Sequence, residues 1–300
     1  MSAPAHRCGL VALVGAPNVG KSTLLNALLK ERVSVAGPKP QTTRLVVRGI
    51  LTRPAWQAVF LDTPGLLKPA NLLESGMRQS SLEALRDADL VLYLASSDVA
   101  ESAGLWRQLP LSGSRTFAVL NKADAGDPVW GLAFREGLRE GLKPRAFLSV
   151  SARNGTGLAE LESELEAGLP EGPALYPEDE LTDLSLRQCA AEIVREKALL
   201  YVRQEVPHSV AVEVEDYRED GKGLHSVKAV LYVERESQKG ILIGPGGSGL
   251  KKIGTAARKD LERLAGGKVF LSLWVKVAKG WKKDANFLRR IGYPVGRAVK

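Results

Sequence analysis

Along residues 8–168, short runs of apolar and β-branched residues alternate with segments whose apolar positions return every three or four residues. The short runs predict strands at 8–15 (CGLVALVG), 44–51, 56–62, 89–96, 115–121 and 146–152. The longer segments predict helices over 20–30, 72–87, 99–109, 128–141 and 157–168. Strands alternating with helices imply an α/β unit with a mostly parallel sheet. The pattern then lapses: 168–183 (GLPEGPALYPEDELTD) carries three prolines and five acids with no sustained period, which predicts a linker.

Beyond the linker the order changes. A helix is expected over 183–204, with Leu186, Ala190, Ile193, Val194 and Leu200 on its apolar side. Strands follow at 208–216 and 225–234 around a turn through EDGKG, then a short helix, a glycine-rich loop, a helix at 248–265, a strand at KVFLSLWVKV and a basic C-terminal helix. The expected division is therefore a first domain at 1–170, a linker at 171–182 and an α+β domain at 183–300.

Composition sharpens this picture. Three hundred residues that are 44% hydrophobic suffice for two cores. Cys8 and Cys189 have neither metal nor disulfide spacing, which fits a reducing, cytoplasmic setting. No apolar run is long enough to span a bilayer, and MSAPAHRCGL does not read as a secretory leader. The net charge of +8 is unevenly spread: residues 1–204 carry 23 Lys and Arg against 23 Asp and Glu, and 205–300 carry 19 against 11. A neutral domain joined to a basic one points to a polyanionic partner.

Two glycine-rich loops must be told apart. Gly15–Ser22 fits G-x-x-x-x-G-K-[ST], leaving a predicted strand and opening a predicted helix, the context that a phosphate-binding loop requires. Its backbone N–H groups and the helix N-terminus suit a β-phosphate, Lys21 reaches the β- and γ-oxygens, and Ser22 can ligate Mg²⁺. Asp62, ending the strand WQAVFLD, can hold the same ion through water, and the N–H of Gly65 can meet the γ-phosphate. In NKAD (121–124), Asp124 can accept from both guanine donors, Asn121 can brace the loop, and the stem of Lys122 can cover the purine. In SVSA (149–152), the N–H of Ala152 is the candidate donor to guanine O6.

These motifs, each at the C-terminal end of a predicted strand, resemble the translation-factor-like GTPases. On that resemblance the GTP site comprises Gly15, Ala16, Pro17, Asn18, Val19, Gly20, Lys21, Ser22, Thr23, Asp62, Thr63, Pro64, Gly65, Leu66, Asn121, Lys122, Ala123, Asp124, Ser151 and Ala152. PQTTR (40–44) supplies the threonine switch, with Thr43 ahead of Thr42 as the Mg²⁺ ligand beside Ser22 and Asp62. Lys21, Asn18, Thr43 and Gly65 are the expected catalytic positions. Leu66 stands where many such enzymes have a water-orienting glutamine, which predicts slow intrinsic hydrolysis. Family members with this substitution often depend on K⁺ held by the residue matching Asn18.

The second loop, GILIGPGGSGLKKIG (240–254), lacks the Lys-Ser/Thr ending and follows a helical segment. GPGG (244–247) between two helices, in the order helix, strand, strand, helix, helix, strand, resembles a KH domain of type II. There the turn grips a nucleic-acid backbone across about four nucleotides and the bases lie on an apolar groove. Ile241, Leu242 and Ile243 are candidates for the groove, and Gly244, Pro245, Gly246 and Gly247 form the turn. Pro245 departs from the usual lysine and removes an N–H. Lys251 and Lys252, with Lys239, are placed to compensate.

A GTPase domain joined to a type II KH domain resembles the bacterial Era family. The resemblance implies a monomeric assembly factor for the 30S ribosomal subunit that binds GTP, GDP and single-stranded 16S rRNA near its 3′ end, with peripheral contact to the inner membrane. An alternative is a membrane-surface GTPase whose tail (Trp281, Phe287 and Leu288 among lysines) meets anionic lipid. NKAD argues against a metabolite kinase, which needs no guanine selectivity. His6, His208 and His225 are expected to be surface or packing residues, and Trp274 to be core.

Overall fold

A computed structural model describes residues 6–35, 37, 42–66, 68–202, 209–221 and 223–297. Two compact units divide the chain, with the main break between Asp183 and Leu184; Asn71–Leu73 are grouped with the second unit and the residues from Gly296 with the first. His208, Lys222, and Pro40 and Gln41 of the threonine segment lie outside the described residues.

The first unit is built on a six-stranded sheet. Its strands are β1 (Arg7–Gly15), β2 (Val47–Arg53), β3 (Trp56–Asp62), β4 (Leu90–Ala95), β5 (Thr116–Leu120) and β6 (Ala146–Ser149), in the order β2-β3-β1-β4-β5-β6. Only β2 runs antiparallel, joined to β3 by a tight turn at 54–55. Every residue of β3 and β4 is buried, as expected for central strands of a parallel sheet. The helices are α1 (Lys21–Leu29), α2 (Leu72–Asp87), α3 (Pro128–Glu140) and α4 (Leu158–Gly168). Leu24, Leu25 and Leu28 of α1 and Leu161 and Leu165 of α4 join the sheet core.

Two expectations change here. The helix expected at 99–109 is two short 3₁₀ turns, Ala100–Ala103 and Leu105–Gln108. The Ser102 hydroxyl bonds the carbonyls of Ser96 and Val99, and Tyr93 Oη accepts the Trp106 N–H (3.1 Å), so α-helical partners are replaced. The segment expected to be a linker is hydrogen-bonded along the first unit. Buried Gln57 accepts from the N–H groups of Leu175 (2.8 Å) and Tyr176 (3.0 Å) and donates to the Tyr176 carbonyl (2.9 Å). The Leu181 carbonyl accepts the Ile50 N–H (2.9 Å), and Asp183 pairs with Arg48 (2.5 Å) at the sheet edge.

The second unit has the order α5 (Leu186–Tyr201), β7 (Ala211–Glu219), β8 (Leu224–Val233), α6 (Glu236–Ile243), α7 (Ser248–Ala265), β9 (Lys268–Val277) and α8 (Ala285–Arg290). β8 pairs antiparallel with β7 and parallel with β9. Ser185 caps α5 in a reciprocal box with Gln188. Ala190, Val194 and Ala198 of α5 join the core of this unit, whereas Leu186 and Leu200, expected with them, are exposed. Trp274 is also corrected: it stands about half exposed on β9, on the same side of the strand as exposed Phe270.

Candidate functional site

The loop from β1 into α1 wraps back on itself through backbone that ordinary side chains resist. Gly20 has φ 94°, and a Cβ there would lie 2.3 Å from the Asn121 amide nitrogen. Gly65 sits against Pro17, which a Cβ would approach to 2.8 Å. Ala16 and Val19 anchor the loop in the core, while Asn18, at φ 64°, and Thr23 face outward.

Lys21 is almost fully buried, and its ammonium donates to the carbonyls of Gly15 (3.2 Å) and Ala16 (2.9 Å). Burial pushes its pKa down to about 8, opposed by the charge of Asp62, so it keeps its proton at neutral pH. These carbonyl contacts hold the charge where a phosphate would take it over.

Beside it, three oxygen-bearing residues from separate elements converge. Ser22 Oγ lies 2.8 Å from Thr43 Oγ1 and donates to Asp62 Oδ2 (2.6 Å). Thr43, rather than Thr42, is the threonine on Ser22. Asp62 is wholly buried, and its Oδ1 has no partner among the described residues. Burial raises the Asp62 pKa, against the hydroxyls of Ser22 and Ser34 and the charge of Lys21. An all-oxygen set with one orphaned carboxylate oxygen fits a hard dication such as Mg²⁺. Among the described residues there is no group of three or more His, Cys, Asp and Glu that offers another site.

Leu66 is buried, its N–H donates to the Gly15 carbonyl (3.3 Å), and its apolar side chain has no group that could hydrogen-bond a water. The Thr63 hydroxyl donates to the Leu13 carbonyl (2.7 Å), and the Pro64 carbonyl accepts from Ser81 (3.1 Å). Both brace the loop after β3.

The residues expected to recognise the base gather at the ends of β5 and β6. Asn121 donates to the Val19 carbonyl (2.9 Å) and accepts the Ala152 N–H (3.2 Å), tying the phosphate loop to the SVSA loop. That bond already uses the donor expected to meet guanine O6. Asp124 is exposed and accepts from buried Ser151 (2.6 Å), which lowers its pKa. Ala123 is exposed between them and donates to the Val150 carbonyl (3.0 Å). Lys122 Nζ pairs with Asp98 (2.7 Å), a partner that motif reading does not include. Asn18, Gly20, Thr23, Asp98, Val99 and Lys122 help to line a cleft of about 490 Å³. Its size suits a nucleoside.

In the second unit the chain turns from α6 into α7 through Gly244 (φ 70°), Pro245, Gly246 (φ 56°) and Gly247 (φ 79°). A Cβ on Gly246 or Gly247 would meet nothing within 4 Å, so open space faces this turn. Ile241 is exposed and Ile243 half-buried, but Leu242 is fully buried in the core and leaves the expected groove. Lys251 and Lys252 are exposed one turn into α7, whereas Lys239 lies 3.8 Å from Glu236.

The tail does not offer the lipid-facing surface of the alternative reading. Trp281 and Leu288 are buried, and Trp281 Nε1 donates to the Ser209 carbonyl (3.1 Å). The C-terminal helix is only the six residues of α8. Among the described residues, no helix is long and apolar enough to cross a membrane.

A phosphate loop, a threonine and a buried carboxylate beside it, and an NKAD aspartate at the end of the same sheet, followed by a GxxG turn between helices, define a GTPase domain joined to a KH module. The family models agree: one described as "50S ribosome-binding GTPase" matches residues 10–122 and one described as "KH domain" matches 205–282. The GTPase Era of Caldanaerobacter subterraneus subsp. tengcongensis is 43% identical over 304 residues, covering 98% of this chain and 100% of that protein. The chain belongs to the Era family of GTPases, and it hydrolyses GTP to GDP and phosphate.

Two solved structures are similar over nearly the whole chain. Era in complex with MgGDPNP and nucleotides 1506–1542 of 16S ribosomal RNA has a TM-score of 0.91 at 38% identity, covering 97% of this chain and 100% of that one. A variant of Aquifex aeolicus Era bound to GDP·AlF4⁻ has a TM-score of 0.90 at 38% identity, covering 96% and 100%.

Proposed function

We propose that this GTPase uses its nucleotide state to govern how its KH module binds single-stranded 16S rRNA near the 3′ end, in assembly of the 30S subunit. The observation that carries this reading is the open GPGG turn, with Lys251 and Lys252 exposed beside it, in the same chain as the candidate guanine-nucleotide site. The 16S fragment held by the similar Era structure favours the small subunit. The protein acts as a cytoplasmic monomer.

Ser22, Thr43 and Asp62 would hold Mg²⁺, which when bound neutralises the β- and γ-phosphate charge. Lys21 binds the same oxygens, and the Gly65 N–H meets the γ-phosphate. Leu66 cannot orient water, so intrinsic turnover is slow. Asn18, exposed on the loop, is the residue that would bind K⁺, and turnover at saturating GTP rises when Na⁺ is replaced by K⁺. Equal turnover in the two salts removes that role.

The RNA assignment is tested with Gly246→Asp plus Gly247→Asp, which sets two carboxylates against the phosphate path. The variant keeps GTP hydrolysis and loses binding to a 3′-terminal 16S oligonucleotide. Undiminished RNA binding would overturn the assignment.

A further inference from the structure

Ser34 lies outside every nucleotide motif, yet its hydroxyl donates to Asp62 Oδ2 at 2.6 Å and the residue is almost fully buried. Its backbone is fixed independently. The Asn26 side chain on α1 accepts the N–H groups of Val33 (3.0 Å) and Ser34 (2.9 Å) and donates to the Ser34 carbonyl (2.7 Å). The hydroxyl is therefore not needed to hold the loop.

Asp62 consequently has two unlike oxygens: Oδ2 accepts from both Ser22 and Ser34, while buried Oδ1 has no partner among the described residues. Two donors on one oxygen fix the rotation of the carboxylate and leave the other with lone pairs to give. The Ser22 hydroxyl is shared with Thr43 (2.8 Å), and that bond must be surrendered when both oxygens turn to a cation. Ser34 has no such second duty.

We propose that Ser34 is a positioning residue for the cation site, holding the Asp62 carboxylate in the orientation that receives Mg²⁺ or its bound water. Asn26 carries that orientation from α1 to the carboxylate. The inference rests on reading Ser22, Thr43 and Asp62 as the ligands of the ion. Partners of this kind, behind a metal ligand, commonly contribute tenfold or more to metal affinity.

The experiment titrates Mg²⁺ into full-length protein carrying fluorescent GDP or a fluorescent non-hydrolysable GTP analogue, and reads nucleotide affinity at each Mg²⁺ concentration. Ser34→Ala should raise the Mg²⁺ midpoint about tenfold with both nucleotides, while affinity in EDTA and the melting temperature stay at wild-type values. Ser34→Thr, which keeps the hydroxyl, should restore the midpoint. Ser34→Cys, isosteric but a weak donor, should not, and it serves if the alanine variant folds poorly. Thr43→Ala should shift the midpoint only with the GTP analogue, because switch threonines engage the ion through the γ-phosphate state.

An unchanged midpoint in Ser34→Ala and Ser34→Cys, or equal losses with and without Mg²⁺, would overturn the positioning role. A wild-type protein whose nucleotide affinity ignores Mg²⁺ would overturn the ligand reading itself, and with it this inference.

Discussion

In the proposed site, Asp124 would choose the base through its charge. Ser151 donates to one of its oxygens and holds the carboxyl below its ordinary range, so it is an acceptor-only group at working pH. Guanine offers two adjacent donors to such a group; xanthine offers one donor and one carbonyl. Asp124→Asn should therefore weaken GTP roughly a hundredfold, about 3 kcal/mol, and bring XTP above GTP in a competition assay. The cysteines make a second residue-scale prediction. Burial, with Glu192 nearby, pushes the Cys189 thiol up to about 11, and burial also raises Cys8. Since the thiolate is the reactive form, alkylation of native protein at pH 7.5 should be far slower than that of free cysteine and should climb with pH toward 11. Lys21, Ser22, Asp62 and Asp124 were legible because their motifs are contiguous and fall at strand ends. Ser34 and Asp98 were not, since each acts through one partner distant in sequence, Asp62 and Lys122, and a lone serine or aspartate carries no pattern. The contact between the Ala152 N–H and Asn121 was missed for a related reason: only the folded chain brings the two together.

At the scale of elements, the hydrophobic period located the strands and most helices, because a parallel sheet needs nearly continuous apolar runs. It failed where side chains compete with the backbone, as at Ser102, and where order is imposed from outside. The segment 171–182 has a linker's composition, but Gln57, buried on β3, supplies three hydrogen bonds to it. Gln57→Ala should take their partner from the Leu175 and Tyr176 backbone groups, cost about 1–2 kcal/mol, and expose 171–183 to limited proteolysis without changing GTP affinity. The turn between α6 and α7 gives a graded test. A Cβ on Gly249 would lie 2.5 Å from the Leu242 carbonyl oxygen and 2.7 Å from Tyr201 Oη. Gly249→Ala should therefore cost about 2–3 kcal/mol by overpacking. Gly247→Ala meets open space and bears only the left-handed backbone penalty, about 1 kcal/mol. Urea denaturation of the two variants checks the order.

For the whole molecule, the asymmetry of charge was legible before any fold was known: the excess of basic residues lies beyond residue 204. Its use depends on which residues the fold leaves exposed. Lys251 and Lys252 flank the turn, while the apolar residues Trp281 and Leu288 are consumed by packing. With Pro245 lacking an N–H, those lysines are the residues proposed to carry phosphate contacts. Replacing both with alanine should reduce the slope of log affinity against log salt by about 1.4 for single-stranded RNA, and an unchanged slope would remove them from the interface. The central claim, that guanine-nucleotide state controls binding of the 3′ end of 16S rRNA, is tested most directly by crosslinking the protein to RNA and sequencing what is bound, once with a GTP analogue and once with GDP. The account predicts crosslinks from the GPGG turn to single-stranded nucleotides at the 3′ end of 16S rRNA, in yields that differ between the two nucleotides. Equal yields in both states, or crosslinks scattered over unrelated RNA, would contradict it.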